Sequence, residues 1–472
     1  MSDLEKVYQE RLKRYVTAMR NERPDRVPVR LFAEEFASKY AGVSNQDAAS
    51  DYSIAFDVTR KCAKELGVDA AMSNGIVNWM GMSKAIGWKA ATFPGLGIPP
   101  YYVTQLTEPT CEEDAFLKID EFDEFADDPT LFLAEKWLPR FTTHINPAGT
   151  EVTFRHNMSL ISGAMAFWDY MLAFGRYGEV FRKEAGVVAA NAGTLKAPLD
   201  LLGDKLRGYL PLCFDLYENR DKVVKACEAM VPHCLRAALG GADPAGQVPV
   251  TIWMHRGHTP YISRKDFDEI YWATLKPILE EIWKAGHQTL LYAEGNWNDG
   301  MEVFRELPAG SIIFHVDGTD IIKARDMLGD KFALSGGVGN DLLSIGTVED
   351  VQARCKFILE NVAVECGYMM DASMLIMDDA KVENVKAMVD YTLEHGVFST
   401  SSVYAPKTPQ DTLGKPSGYA IDPGKRPPGV CVPWDEFTKD VKSVEGNVDI
   451  MKKAWEGVDA LGYAFLWTNL TW

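Results

Sequence analysis

The stretch from Val248 to Gly396 repeats one pattern: a short apolar run, then a segment with the apolar spacing of a helix. "VPVTIWMHRG" leads into Ser263 to Ala285, where Phe267, Ile270, Tyr271, Leu275, Ile278, Leu279 and Ile282 recur at intervals of one, three and four, the spacing of one helix face. Ser263 with Asp266 three residues on predicts a helix start. "QTLLYAEG" then precedes a helix from about Asp299, and "SIIFHVDG" one from about Asp320. "FALSGGVG" precedes a helix from Thr347, and "GYMMDAS" one over Lys381 to His395. Five such units in succession call for a parallel sheet covered by helices, either open and doubly wound or closed as a (β/α)8 barrel. Further strands predicted at "DRVPVRLF" and "VDAAMSNG", with helical segments at Asn45 to Leu66 and Leu131 to Leu138, favour the barrel.

Two regions read as additions to it. Residues 79 to 114, rich in Gly, Pro and aromatics, suit a long folded loop capping the barrel, either as packing or as a lid. Residues 400 to 435 carry seven prolines and predict an irregular arm before a last helix at about Asp440 to Leu461. The expected organisation is an α/β (β/α)8 TIM barrel over 1–398 with N-terminal helical additions and the cap at 79–114. A C-terminal arm and helix over 399–472 would pack on it.

Charge narrows the partners. A formal net charge of −18 does not suit a chain that must hold phosphates with clustered Lys and Arg, so no nucleic-acid partner is expected. The charged N-terminus "MSDLEKVYQERLKRYVTAMRNERPD" lacks a signal-peptide core, and no window has the roughly 18 apolar residues of a membrane span, so a cytoplasmic location off the membrane is expected. Eight scattered cysteines without a short-spaced pair suit reduced thiols.

In such a barrel the reactive groups sit just past the carboxyl ends of the strands. Glu294, His315 and Asp371 fall there, as do His255 and Arg256. Twenty residues separate Glu294 from His315, which places them on successive strands about 4.8 Å apart. A carboxylate and an imidazole reaching one point suit a zinc ion, which in catalytic sites keeps three protein ligands and one open position; they equally suit an ion pair. Asp371, His255 and His258 compete for the third ligand position. Trp79, Trp88, Trp253, Trp297 and Tyr292 lie near these loops and either wall an aromatic-substrate pocket or belong to the core. "SGGVGN" has neither the dinucleotide nor the phosphate-loop spacing, and no GxSxG elbow is present.

The sequence resembles the uroporphyrinogen decarboxylase superfamily over most of Asn21 to Gly396. The resemblance rests on "RNERPDRVPV", "TFPGLGIP", "EFDEFADDPTLFLAEKWLPR", "SRKDFDEIYWATLKPILEEIWKAG", "DIIKARDMLGDKFALSGGVGNDLLSIGTVEDVQARCKFILENV" and "KVENVKAMVDYTLEHG". It implies a (β/α)8 barrel. The decarboxylases' arginine-rich "RQAGRY"-like segment is replaced here by "RLFAEEFASKY", whose acids would repel a polycarboxylate. The coenzyme M methyltransferases' His-x-Cys-Gly reads Tyr292, Ala293, Glu294, Gly295, and their later cysteine is lost in "MMDASM". Glu294 and His315 at their spacing resemble instead the methyltransferase I components of bacterial O-demethylases. That resemblance implies methyl transfer from a phenyl methyl ether to the cobalt(I) of a corrinoid protein. Zinc on Glu294, His315 and Asp371 would activate the ether oxygen, and His255, Arg256, Tyr292 and Trp297 would seat the ring. A decarboxylase of a small acid, or a corrinoid-dependent methyltransferase with another donor or acceptor, is the alternative. The expected partners are a methoxylated aromatic molecule and a corrinoid-binding protein, with a homodimer as a further candidate.

Overall fold

A computed structural model describes residues 3–75, 79–398 and 421–471. Eleven strands occur in it: β1 (Arg30–Leu31), β2 (Ala70–Ala71), β3 (Ala91–Thr92), β4 (Gln105–Leu106), β5 (Val188–Ala189), β6 (Thr194–Lys196), β7 (Val250–Met254), β8 (Thr289–Ala293), β9 (Ile312–Val316), β10 (Ala333–Gly336) and β11 (Tyr368–Met369). β3 and β4 pair antiparallel within the cap. All the others pair parallel, as β1-β2-β5 and as β6-β7-β8-β9-β10-β11.

These two ribbons make one cylinder. β5 and β6 follow one another in a single extended passage, and bridges Val29↔Met370 and Ala33↔Ile376 tie the last strand to the first. Arg30 N donates to the Met370 carbonyl and Met370 N to the Pro28 carbonyl, both at 2.9 Å. The closed (β/α)8 barrel is therefore the architecture, and closure leaves no sheet edge to satisfy. The third stave, in "GVVAANAGTLKA", escapes the sequence pattern because its small and polar residues carry no clear alternation.

Alternation decides which side chains enter the cylinder. Phe32, Ala70, Leu290, Tyr292, Ile313, Ala333 and Met369 fill the interior. Their neighbours Leu291, Ala293, Phe314 and Val316 face the surrounding helices. The helix Asp3–Met19 plugs the amino-terminal end by burying Leu12, Tyr15, Ala18 and Met19, and Tyr15 Oη donates to the Ala190 carbonyl at 2.7 Å. The other end, where the strands point, is the mouth.

Most predicted helices form at their predicted caps. The Ser263 side chain accepts from Asp266 N, that of Asp320 from Ile322 N and Lys323 N, and that of Thr347 from Asp350 N. Other expectations need correction. After β8 there is only a 3-10 turn, Met301–Glu306, where a helix was expected. The last helix runs Val448–Thr471 instead of ending near Leu461, because Tyr463, Phe465, Leu466, Trp467 and Leu470 are its buried part. The 27-residue helix Phe154–Val180 was not foreseen, since apolar residues on two of its faces blur the periodicity. The proline-rich arm at 400–435 falls outside the described residues up to 420. Every cysteine is free, as expected of reduced thiols.

Candidate active site at the barrel mouth

Strand register separates the polar residues of the interior into two levels. Tyr292 pairs with His315, and Ala293 with Val316, so one step further out Glu294 stands beside Asp317. On the other side Met254 pairs with Ala293, which puts His255 beside Glu294. Side chains on one face recur every second residue, about 6.6 Å along a strand. His315 therefore belongs one level below Glu294, inside the barrel. The equal placement that the sequence suggests is corrected by this register.

The deep level is mostly closed on itself, with Arg30 Nη1 and Tyr292 Oη left without a hydrogen-bond partner among the described residues. His315 is fully buried, and its Nε2 lies 2.9 Å from the Ser373 carbonyl, a pure acceptor, so Nε2 carries the proton. Its Nδ1 faces Arg30 Nη2 and Ser335 Oγ, each at 3.0 Å, and its ring stacks on Tyr292 with centroids 4.0 Å apart. Burial and the Arg30 cation hold the imidazole pKa well below its usual value, so the ring is neutral. Asp371 Oδ2 accepts from Arg30 Nε at 2.7 Å, with both side chains wholly buried. Burial pushes the Asp371 carboxyl up to about 6 against the pull of Arg30. Both nitrogens of His315 are thus engaged and Asp371 is a guanidinium partner. The assignment of these two as metal ligands is corrected accordingly.

At the mouth the arrangement is open. Glu294 and His255 follow β8 and β7, Lys196 ends β6, and the helical turns Pro198–Leu201 and Leu202–Arg207 bring Asp200 and Asp204 across them. His255 Nδ1 lies 2.8 Å from Asp204 Oδ2, leaving Nε2 pointed at Glu294 Oε1, 3.6 Å away. Lys196 Nζ stands 2.6 Å from Asp204 Oδ2 and Arg256 Nη1 3.2 Å from Asp204 Oδ1. Arg256 also reaches Glu108 of the cap at 2.8 and 3.1 Å. Asp200 fixes the loop: it accepts from His255 N, Arg256 N and Tyr271 Oη at 3.1, 2.9 and 2.7 Å.

The charges set the protonation. Burial raises the Glu294 pKa against the pull of His255 and Lys196. Burial and Lys196 would lower that of His255, but Asp204 and Glu294 outweigh them and it is raised. Asp204 lies well below the usual carboxylate range, because Lys196, His255 and Arg256 overcome its burial. Glu34, at the end of β1, is pushed well above that range by burial and by Glu35 and Glu294. The mouth therefore holds an imidazole fixed by a strongly acidic carboxylate, beside carboxyls whose pKa values burial raises.

Several expected substrate contacts serve other purposes. Trp297 is 1% exposed, and its Nε1 donates to the Glu294 carbonyl at 2.8 Å, so it props the turn from behind. Tyr292 is buried at the deep level between Trp253 and His315. Neither walls the mouth. Gly295 has φ +81°, and a Cβ there would lie 2.2 Å from His258 Nε2, so only glycine permits this turn. Gly295 N donates to Asp317 Oδ2 at 2.7 Å. Sequence reading missed Lys196, Asp200, Asp204, Arg30 and Glu34. Lys196, closing "GTLK", became legible only with the third stave. A separate cleft of about 460 Å³ lies under the cap, lined by Lys89, Thr107, Glu108, Phe116 and Arg140, and adjoins the mouth through Glu108.

The residues present do not fit zinc as expected. His255 Nε2 and Glu294 are the two donors turned to one point, one short of the three that catalytic zinc sites take. No group of three or more His, Cys, Asp or Glu side chains is arranged to hold a metal among the described residues.

Residues 179–395 match the family model described as "Uroporphyrinogen decarboxylase (URO-D)". Among solved structures, a methyltransferase from Methanosarcina mazei superposes with a TM-score of 0.52 at 16% sequence identity, over 81% of this chain and 98% of that one. What is shared at that identity is the fold. No curated protein matches the sequence.

Proposed function

For a chain whose residues 179–395 match the uroporphyrinogen decarboxylase family model, we propose a methyltransferase that takes the methyl group of a phenyl methyl ether and passes it to a corrinoid presented by a partner protein. The observation that carries this reading is the mouth itself, where His255, fixed by Asp204, turns Nε2 toward Glu294. An aryl ether is a poor methyl donor because the departing phenolate is a strong base. A proton delivered to that oxygen as the bond breaks lowers the barrier. The carbon–oxygen bond breaks with its electron pair left on oxygen, and His255 Nε2 gives up the proton that oxygen takes. Cobalt(I) of the corrinoid supplies the electron pair for the new bond to the methyl carbon. Asp204 holds the imidazole and favours its charged form. Glu294, 3.6 Å from Nε2, adds a second carboxylate that favours that charged form.

The polarity of the mouth supports a neutral donor over a polycarboxylate. Lys196 and Arg256 reach it, and each is already engaged by Asp204 or Glu108. Glu34, Asp200, Glu294 and Asp317 add further carboxyl groups nearby. Decarboxylation of an acid would need a cation held open at the mouth, whereas the unpartnered Nη1 of Arg30 lies a level below it in a fully buried side chain.

The test mixes the full chain with cob(I)alamin and a panel of methoxylated phenols and benzoates, following cobalamin absorbance. Growth of the methylcobalamin spectrum with at least one ether, and loss of that growth in His255→Asn, is the expected result. Absence of transfer with every ether, together with carbon dioxide release from a small acid, would overturn the reading.

A further inference from the structure

The helix Phe154–Val180 buries Ser159, Gly163, Phe167, Tyr170 and Ala173 against the rest of the chain. Its opposite side is apolar too. Phe154 is 81% exposed, Met165 70% and Leu172 60%, with Met158 and Ile161 exposed between them. With the half-buried Trp168 these six positions follow one another at intervals of 4, 3, 4, 3 and 4 residues. That is a 3.5-residue period over about 27 Å of helix, the repeat of a seam that packs on another helix as knobs into holes. A soluble chain rarely leaves such a face in water.

We infer that this seam is the contact between two copies of this chain, laid antiparallel about a two-fold axis near Gly163. The sequence is self-complementary in that register. Phe154 then faces Leu172 of the other copy, Met158 faces Trp168, and Ile161 faces Met165, so all six positions are filled with no overhang. The charges agree. Arg155, whose Nη2 lies 2.9 Å from His144 Nε2, and Asp169, which accepts from Tyr52 Oη at 2.5 Å and pairs with Arg176 at 3.4 Å, flank the seam on one side, and the same register brings each Arg155 near Asp169 of the other copy. Opposite charges at such flanking positions choose partner and orientation. The helix Val448–Thr471, which touches this one through Phe167 and Phe465 at 5.4 Å between ring centroids, exposes Val458 and Leu461 and extends the apolar area. A stable contact needs roughly 800 Å² per partner, more than a lone exposed side chain offers and within reach of two adjoining helices.

Sedimentation velocity on the full chain between 1 and 50 µM tests this. The wild type is expected to run as a dimer. Met165→Glu, a change at an exposed position that leaves the fold and its circular dichroism intact, is expected to weaken association at least ten-fold. Arg155→Asp should also weaken it, and Arg155→Asp with Asp169→Arg should restore it. A monomeric wild type, a dimer unmoved by Met165→Glu, or a charge exchange that fails to restore pairing would each overturn the inference.

Discussion

The two levels of the barrel interior use the same residue types to opposite ends. At the deep level Arg30, Asp371, His315 and Ser335 bond to one another within a fully buried set, with Arg30 Nη1 left without a partner among the described residues. At the mouth His255, Asp204, Lys196 and Glu294 are engaged on one side and open on the other, with Glu294 and His255 each 23% exposed at the side chain. A buried ion pair is expensive to form and costly to break, so the deep set locks the barrel. A half-open set with shifted pKa values is where proton chemistry can be performed. An imidazole two residues further along its strand passes from one role to the other.

That contrast can be broken at either level. Asp371→Ala leaves the Arg30 charge buried without its carboxylate and should cost about 3–5 kcal/mol, a large part of a domain's stability. Urea unfolding measures it, and an unchanged midpoint would remove the deep level's structural role. His255→Asn should leave the urea midpoint nearly unmoved while single-turnover methyl transfer falls roughly 10²–10³-fold, the usual weight of a positioned acid. Equal losses in both measurements would erase the distinction between levels.

Asp204→Asn sharpens the comparison through pH. The raised His255 pKa keeps the acid form present to higher pH than a free imidazole, so transfer is full at low pH and falls as pH rises through the folded pKa. The same shift adds folding stability below the unfolded value, and that stability is lost as pH rises through the folded value. Without the Asp204 charge the falling limb should move toward acid by about one pH unit, ten-fold in rate on that limb. A limb that stays in place would mean another group titrates. The smallest effect belongs to Glu108→Gln, which frees the cap from Arg256. Both side chains are about a third exposed, so stability should change by less than about 1 kcal/mol in urea unfolding.

The barrel was legible because five strand–helix units follow one another, and the capping residues Ser263, Asp320 and Thr347 marked helix starts that the structure keeps. Glu294 and His255 were legible as strand-end polar residues. Their depth relative to His315 was not, because sequence spacing gives a strand's place in the order and says nothing of its register against its neighbour. Tyr292↔His315 is fixed by hydrogen bonding between strands, and two residues of register move a side chain from mouth to interior. Lys196, Asp200 and Asp204 went unseen because their stave lacks alternation, and Arg30 because its partner Asp371 is 341 residues away.

The central claim is that the mouth performs the chemistry while the deep level holds the barrel. Methylation of cob(I)alamin by chelator-treated protein, measured per folded molecule in His255→Asn and His315→Gln, tests it most directly. The account predicts that His315→Gln keeps its rate, His255→Asn loses it, and chelation changes neither the wild type nor the variants. A metal-dependent rate that disappears with His315 and survives without His255 would contradict it.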